Sequence, residues 1–358
     1  MLPASESLHS FAPARAFNDR LHAFTQAVKT RVPIAQTPKA LIWSLNKARL
    51  YRYVPVVPAE KRQRVPLLLV FAIMNRPYIL DLMPGRSFVE YMVNQGYDVY
   101  LLDWGSPGLE DKNLKFDDYA LEYLPRAIRK VKSVSGSDDF SLLGWCLGAV
   151  VCTIYAALRP DDGLRNLLLL TAPLDFSKRE SITIANWVNQ KHFNLERILS
   201  TYGNMPAEMI GSGAQLLKPV ENLVVNYCRL WDNLENARTV RGWQAMNTWV
   251  TDNIPMAGAA CYQLITELYR NNALIENRLI IRDQVVDLSK ITANLLNIIA
   301  TDDHITPPCQ SESILDKVSS ADKETYRIQG GHIGIMAGSS APKKSWPHMH
   351  QWLSARSN

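Results

Sequence analysis

From Val65 onward the chain alternates short, almost wholly apolar runs with stretches whose apolar residues recur at helical spacing. This alternation predicts parallel strands joined by crossover helices. Six runs qualify as strands: PLLLVFAIM (66–74), YDVYLLD (97–103), DFSLLG (139–144), NLLLLTA (166–172), ANLLNIIA (293–300) and ETYRI (324–328). Most are apolar at successive positions, as strands buried on both faces are.

The segments between them carry helix punctuation. Ser87 can cap a helix bearing Phe88, Val89, Tyr91 and Met92, with Gly96 at its left-handed end. Asp117 and Asp118 precede the periodic Tyr119, Leu121, Leu124 and Ile128, and Arg129, Lys130 and Lys132 fall where a helix dipole favours cations. The fourth and fifth strands are about 120 residues apart, far more than one crossover needs. An insertion is expected there, a largely helical cap over 173–289 rich in Trp, Asn and Met, including Trp187, Trp231, Trp243 and Trp249. The catalytic core is then 65–172 with 290–358, and 1–64 stands apart as a basic N-terminal segment.

Charge sets that segment off. The chain has 358 residues and a net charge of +5, but residues 1–64 hold eleven Lys/Arg against three Asp/Glu. Two accounts stand side by side. Ala16, Phe17, Leu21, Phe24 and Val28 fit one face of a helix with Arg20, Lys29 and Arg31 on its solvated side, or the basic residues meet an anionic partner or surface. No nucleic-acid-binding motif accompanies them, so no nucleic-acid role is expected.

The longest mostly apolar stretch, Leu142 to Leu158, is broken by Gly144, Gly148 and Thr153, and no transmembrane segment is expected. The first twenty residues lack a charged region followed by an apolar one, so a cytoplasmic location is expected. Five scattered cysteines with no CxxC pair point to neither disulfides nor zinc. His9, His22 and His192 stand alone, His348 and His350 do not share a helix face, and no metal site or cofactor is expected.

The chemistry gathers at Gly144-Trp145-Cys146-Leu147-Gly148, a lipase-box-like GxCxG between an apolar strand and the apolar helix Ala149 to Leu158. This is the pattern of a nucleophile elbow, whose strained turn needs small flanking residues. Two loops downstream complete it. Asp302-Asp303-His304 follows the fifth strand, and Gly330-Gly331-His332-Ile333-Gly334 follows the sixth. Nucleophile, acid and histidine in that order, the last two after late strands, is the arrangement of the α/β-hydrolase fold. Cys146, Asp303 and His332 are thus the candidate triad, with Asp302 as the alternative acid and Asp303 favoured because it lies deeper in the loop. His304 reads as a neighbour of the triad or a helix-start residue. The segment Met74-Asn75-Arg76-Pro77-Tyr78 after the first strand is where this fold places one oxyanion amide, and Leu147 should supply the other.

With these residues in place the chain resembles the polyhydroxyalkanoate synthases, specifically the short catalytic subunits of the class III and class IV two-component enzymes. The resemblance spans most of the chain. It is carried by NRPYILDLMPGRSFVEYMVNQGYDVYLLDWGSPG, the Cys elbow, FDDYALEYLP, WVTDNIPMAG, LYRNNALIENRL, VDLSKI, DDHITPP and GGHIGIMAG. It implies Cys146 as acyl-carrying nucleophile, His332 as general base and Asp303 rather than Asp302 as the acid. Met74 and Leu147 would be the oxyanion amides, and Asn75 would lie in a site segment. One departure is Ala149, where the family often has a second glycine after the elbow.

The implied reaction polymerises 3-hydroxyacyl-coenzyme A onto a growing polyester chain, at the surface of cytoplasmic granules. A second synthase subunit and a homodimer or larger oligomer are also implied. The same triad could instead serve water as acceptor, in a thioesterase or polyhydroxyalkanoate depolymerase.

Overall fold

The computed structural model describes residues 12–189 and 193–357; His9 and His192 lie outside them. Its centre is an eight-stranded sheet formed by β1 (Lys39–Leu45), β2 (Ala48–Tyr53), β3 (Leu67–Val70), β4 (Val99–Asp103), β5 (Phe140–Trp145), β6 (Leu164–Leu170), β7 (Asn294–Ala300) and β8 (Lys323–Ile328). The spatial order is β1-β2-β4-β3-β5-β6-β7-β8, and every pairing from β4 to β8 is parallel. All six runs anticipated from the sequence are strands of this sheet, though the first stops at Val70, and Phe71 to Arg76 form a loop.

The sheet does not begin at Val65. Within the segment set apart as 1–64, β1 and β2 form an antiparallel hairpin that pairs with β4. Its residues are too mixed in polarity to read as buried parallel strands. In β2, Ala48, Leu50 and Tyr53 are buried while Arg49 is exposed, and Arg52 is half-buried because Asp98 takes it in a two-pronged ion pair, Nε to Oδ1 at 2.8 Å and Nη2 to Oδ2 at 3.1 Å. Lys47 pairs with Asp111 at 2.6 Å and with Glu110. Part of the basic excess is thus matched inside the fold.

Every residue of β3 and β5 is buried, each leucine side chain contributing roughly 1.5–3 kcal/mol by leaving water. Around the sheet lie α2 (Phe88–Asn94), α3 (Leu124–Ser135), α4 (Leu147–Leu158) and a C-terminal α10 (Ser345–Ser354). Ser87 caps α2 by accepting from the Glu90 amide at 2.9 Å, and Gly96 follows it at φ +88°. The next crossover starts earlier than its acidic pair suggests. Phe116 to Asp118 already form a helical turn, Asp118 caps it by accepting from the Lys115 amide at 2.8 Å, and Asp117 accepts from cap residue Gln263 at 2.8 Å.

Between β6 and β7 the chain builds a helical layer containing α5 (Leu195–Tyr202), α6 (Ala207–Leu216), α7 (Asn226–Asp232), α8 (Ala237–Thr251) and α9 (Gly258–Gln263), with one short hairpin at Ile280–Ile281 and Gln284–Val285. The N-terminal helix α1 (Ala12–Lys29) packs on this layer. Phe17 and Phe24 meet the Trp231 ring at 5.9 and 5.6 Å between centroids, Arg20 lies over the same ring, and Gln244 donates to the Ala27 carbonyl at 3.0 Å. No helix among the described residues is long and apolar enough to cross a membrane.

Candidate active site

The strand order brings the chemistry together. β3 and β5 are neighbours at the point where the connections turn to opposite sides of the sheet, and such a switch point opens a crevice at the carboxyl ends of the strands. Val70 pairs with Gly144 there, so the loop after β3 starts beside the turn after β5.

Cys146 occupies that turn at φ +56°, ψ −126°, between β5 and α4. A side chain at positive φ costs energy that the surroundings must hold. The flanking glycines show how. A Cβ on Gly148 would lie 2.3 Å from the Val70 carbonyl oxygen, and one on Gly144 2.6 Å from the Ala149 Cα. Ala149 itself fits, fully buried; the crowding falls on Gly144 and Gly148.

Asp303 and His332 come from adjacent strands, and the backbone stitches their loops. Thr301 donates to the Ile328 carbonyl at 2.9 Å and Asp302 to the Gly330 carbonyl at 3.0 Å. This turns Asp302 outward, exposed, and Asp303 inward, where it is 6% exposed. Asp303 Oδ1 accepts from the amides of Ile305 and Thr306 at 2.8 and 2.9 Å, while Oδ2 lies 2.7 Å from Nδ1 of His332. A carboxylate only accepts, so Nδ1 carries a proton in either charge state of the ring and Nε2 is the nitrogen that gains or loses one.

Burial opposes charge on His332, but Asp303 and Cys146, each through its charge and a hydrogen bond, overcome it and raise the imidazole to about 10. The ring therefore faces both partners. The Trp145 indole lies 6.2 Å from it, centroid to centroid. His304 points elsewhere in charge: burial first, then Lys218 of the cap, lower its pKa, and its buried Nδ1 has no hydrogen-bond partner. The other thiols differ from Cys146 in setting. Burial pushes those of Cys152 and Cys261 up, the latter to about 12. His348 stacks on Tyr326, 3.6 Å between centroids.

Three further residues near the site had no role assigned from local pattern. Thr171, just after β6, is buried at φ +43°, and its hydroxyl has no hydrogen-bond partner. Tyr269 of the cap is buried near Cys146; burial and then the Cys146 charge raise its phenol. It sits on a π-helical segment, Leu264–Arg270, whose wide turns include an Asn271 amide bonded to the Thr266 carbonyl at 3.0 Å. Trp249 donates to the Arg76 carbonyl at 2.8 Å, tying the cap to the loop after β3. Met74 and Asn75 of that loop are half-buried, and Leu147 is buried at the start of α4. Among the described residues no three His, Cys, Asp or Glu side chains gather as a metal-holding group.

The sequence profile of the alpha/beta hydrolase fold matches residues 81–339, and that of the poly-beta-hydroxybutyrate polymerase (PhaC) N-terminus matches residues 21–92. Among solved structures, the chain is similar to a monoacylglycerol lipase of Paleococcus ferrophilus (16% identity, 87% of this chain and 100% of that one, TM-score 0.51). It is likewise similar to a thermophilic esterase of Thermogutta terrifontis (13% identity, 92% and 100%, TM-score 0.54). At those identities the likeness concerns the fold. Curated relatives are nearer. The poly(3-hydroxyalkanoate) polymerase subunit PhaC of Haloferax mediterranei is 36% identical over 95% of this chain and 68% of its own length. That of Allochromatium vinosum is 35% identical over 89% of both chains. The chain belongs to the poly(3-hydroxyalkanoate) polymerase PhaC family, built on the α/β-hydrolase fold.

Proposed function

We propose that this catalytic subunit of a polyhydroxyalkanoate synthase grows its polyester on Cys146, using His332 and Asp303 to move protons. The reading is supported above all by the buried 2.7 Å contact between His332 Nδ1 and Asp303 Oδ2, on a ring that also engages the Cys146 thiol. Nε2 of His332 takes the thiol proton, and the thiolate attacks the carbonyl of 3-hydroxyacyl-coenzyme A. The amides of Met74 and Leu147 receive the developing oxyanion. Coenzyme A leaves as its thiol, taking the proton from the imidazolium, and the acyl group remains on Sγ.

In the second half the 3-hydroxyl of another unit gives its proton to His332 and attacks the acyl carbon. An oxygen ester forms, the bond to Sγ breaks, and the Cys146 thiol is regenerated. The first exchange, thioester for thioester, is nearly balanced; the second makes a more stable ester and drives growth. Asp303 holds the tautomer and stabilises the imidazolium throughout. Assembly with a second synthase subunit, self-association and attachment to polyester granules belong to the same proposal.

The test is purified chain with 3-hydroxybutyryl-coenzyme A, following thiol release and recovering the product, with Cys146→Ala and Cys146→Ser alongside. Polymer from the wild type and from neither variant is expected. Thiol release yielding only free hydroxybutyrate would replace the synthase reading with a hydrolase. A silent isolated chain is repeated in co-expression with a candidate partner subunit, and silence there counts against the proposal.

A further inference from the structure

The loop from Phe71 to Tyr78 is held at its two ends by two different parts of the molecule. At the first end, the Trp104 indole donates to the Phe71 carbonyl at 2.9 Å, and the Phe71 ring packs 4.8 Å from Trp145. Both of these partners belong to the sheet and its loops, and the Trp249 ring of the cap also lies 6.2 Å from the Phe71 ring. At the second end the partners come from the cap. Trp249, near the end of α8, donates to the Arg76 carbonyl at 2.8 Å. Asp252, immediately after α8, accepts from Arg76 Nε at 3.4 Å and from the Tyr78 hydroxyl at 3.0 Å. Met74 lies between the two anchors.

The placement of Asp252 is unfavourable by itself. It caps the carboxyl end of α8, where the helix dipole disfavours an anion. Arg76 and Tyr78 offset that cost. Arg76 stands just before the turn Pro77–Leu80, and its carbonyl there is within reach of the Trp249 N–H. The second anchor thus joins the two elements by three contacts, one to the Arg76 backbone and two to the Asp252 carboxylate.

We propose that Trp249 and Asp252 are positioning residues: when the cap is seated they fix the loop so that the Met74 amide stands where the oxyanion develops. This rests on reading Met74 as an oxyanion donor. The acyl-transfer machinery is then complete only with the cap in place, and a lifted cap leaves Cys146 without one of its two amides. The loop is the shared part, anchored to the core at Phe71 and to the cap at Arg76.

The experiment compares Trp249→Phe, which keeps the ring and loses the indole N–H, with Asp252→Asn, on 3-hydroxybutyryl-coenzyme A. Losing an oxyanion donor outright costs about 10²–10³ in kcat, and displacing one should cost about ten- to a hundredfold. The expected result is that loss in kcat with KM within about threefold of wild type, since the amide acts on the transition state and not on substrate binding. A Trp249→Phe protein that melts with wild type and keeps its kcat overturns the proposal, as does a rise in KM at unchanged kcat. Should Trp249→Phe fail to fold, Asp252→Asn, whose carboxylate is 40% exposed, decides by the same criteria. Coenzyme A release persisting in Cys146→Ala would overturn the underlying reading separately, whatever the cap variants do.

Discussion

Asp303 and His332, 29 positions apart in the chain, meet at 2.7 Å, while Asp302, one position nearer the strand, faces solvent. Two backbone hydrogen bonds between their loops decide which of the adjacent carboxylates turns inward. Asp303→Asn should therefore lower the rate of coenzyme A release by about 10³–10⁴-fold, because an amide at that position favours the wrong imidazole tautomer. Asp302→Asn should stay within about threefold of wild type. Equal losses in the two variants would contradict the orientation described here.

The elbow predicts a second contrast. Gly148→Ala places a methyl 2.3 Å from the Val70 carbonyl, against backbone that cannot rotate away. Overpacking of this kind costs typically 1–3 kcal/mol or more, and it should displace Cys146 as well. Gly213→Ala, in cap helix α6 with nothing within 4 Å of the new Cβ, should instead raise stability by up to about 1 kcal/mol. Thermal melts of the two variants check both signs.

Stability should also depend on alkaline pH through His332. Its imidazole titrates at 6.5 in an ordinary setting and at about 10 in the folded chain. The folded state therefore binds more protons than the unfolded state between those values. The stabilisation is complete below 6.5 and is lost as pH rises through about 10. The melting temperature of His332→Gln should fall less steeply than that of wild type across this window. Parallel curves would show that the ring's proton is not linked to folding.

The N-terminal helix predicts a local effect. Trp231 contacts Phe17 and Phe24 and lies under Arg20. Each aromatic pair is worth about 0.5–1.5 kcal/mol. Trp231→Ala should release α1 from the cap, read as faster tryptic cleavage at Arg15 and Arg20 with little change in the core's melting. Unchanged cleavage would mean that Gln244 and the remaining contacts hold α1 alone.

What the sequence made legible follows from how each part is stabilised. The parallel strands are buried on both faces, so runs such as Leu67 to Val70 announce themselves. The elbow and the two late loops are local patterns of a few residues, and they read cleanly. The β1–β2 hairpin did not, because it lies at the sheet edge and its Arg49 and Arg52 look like surface charge until Asp98 is seen beside Arg52. The anchors of the Met74 loop were hidden for another reason. Trp249 reaches Arg76 across 173 positions, and nothing in either local sequence records that meeting. Tyr269 and the strained Thr171 are of the same kind, defined by packing alone.

The π-helical segment Leu264–Arg270 carries a consequence for how this cap tolerates change in length. A wide turn is an α-helix with one residue too many, absorbed without breaking the helix. Deleting a single residue within the wide turns would restore the ordinary period and leave the flanking helix close to its present phase, so the change falls on the segment's own side chains, Tyr269 among them. The cap would keep its helix while the phenol near Cys146 shifts with the narrowed turn. Insertions and deletions at this one segment thus retune the wall of the site without touching any residue that handles protons.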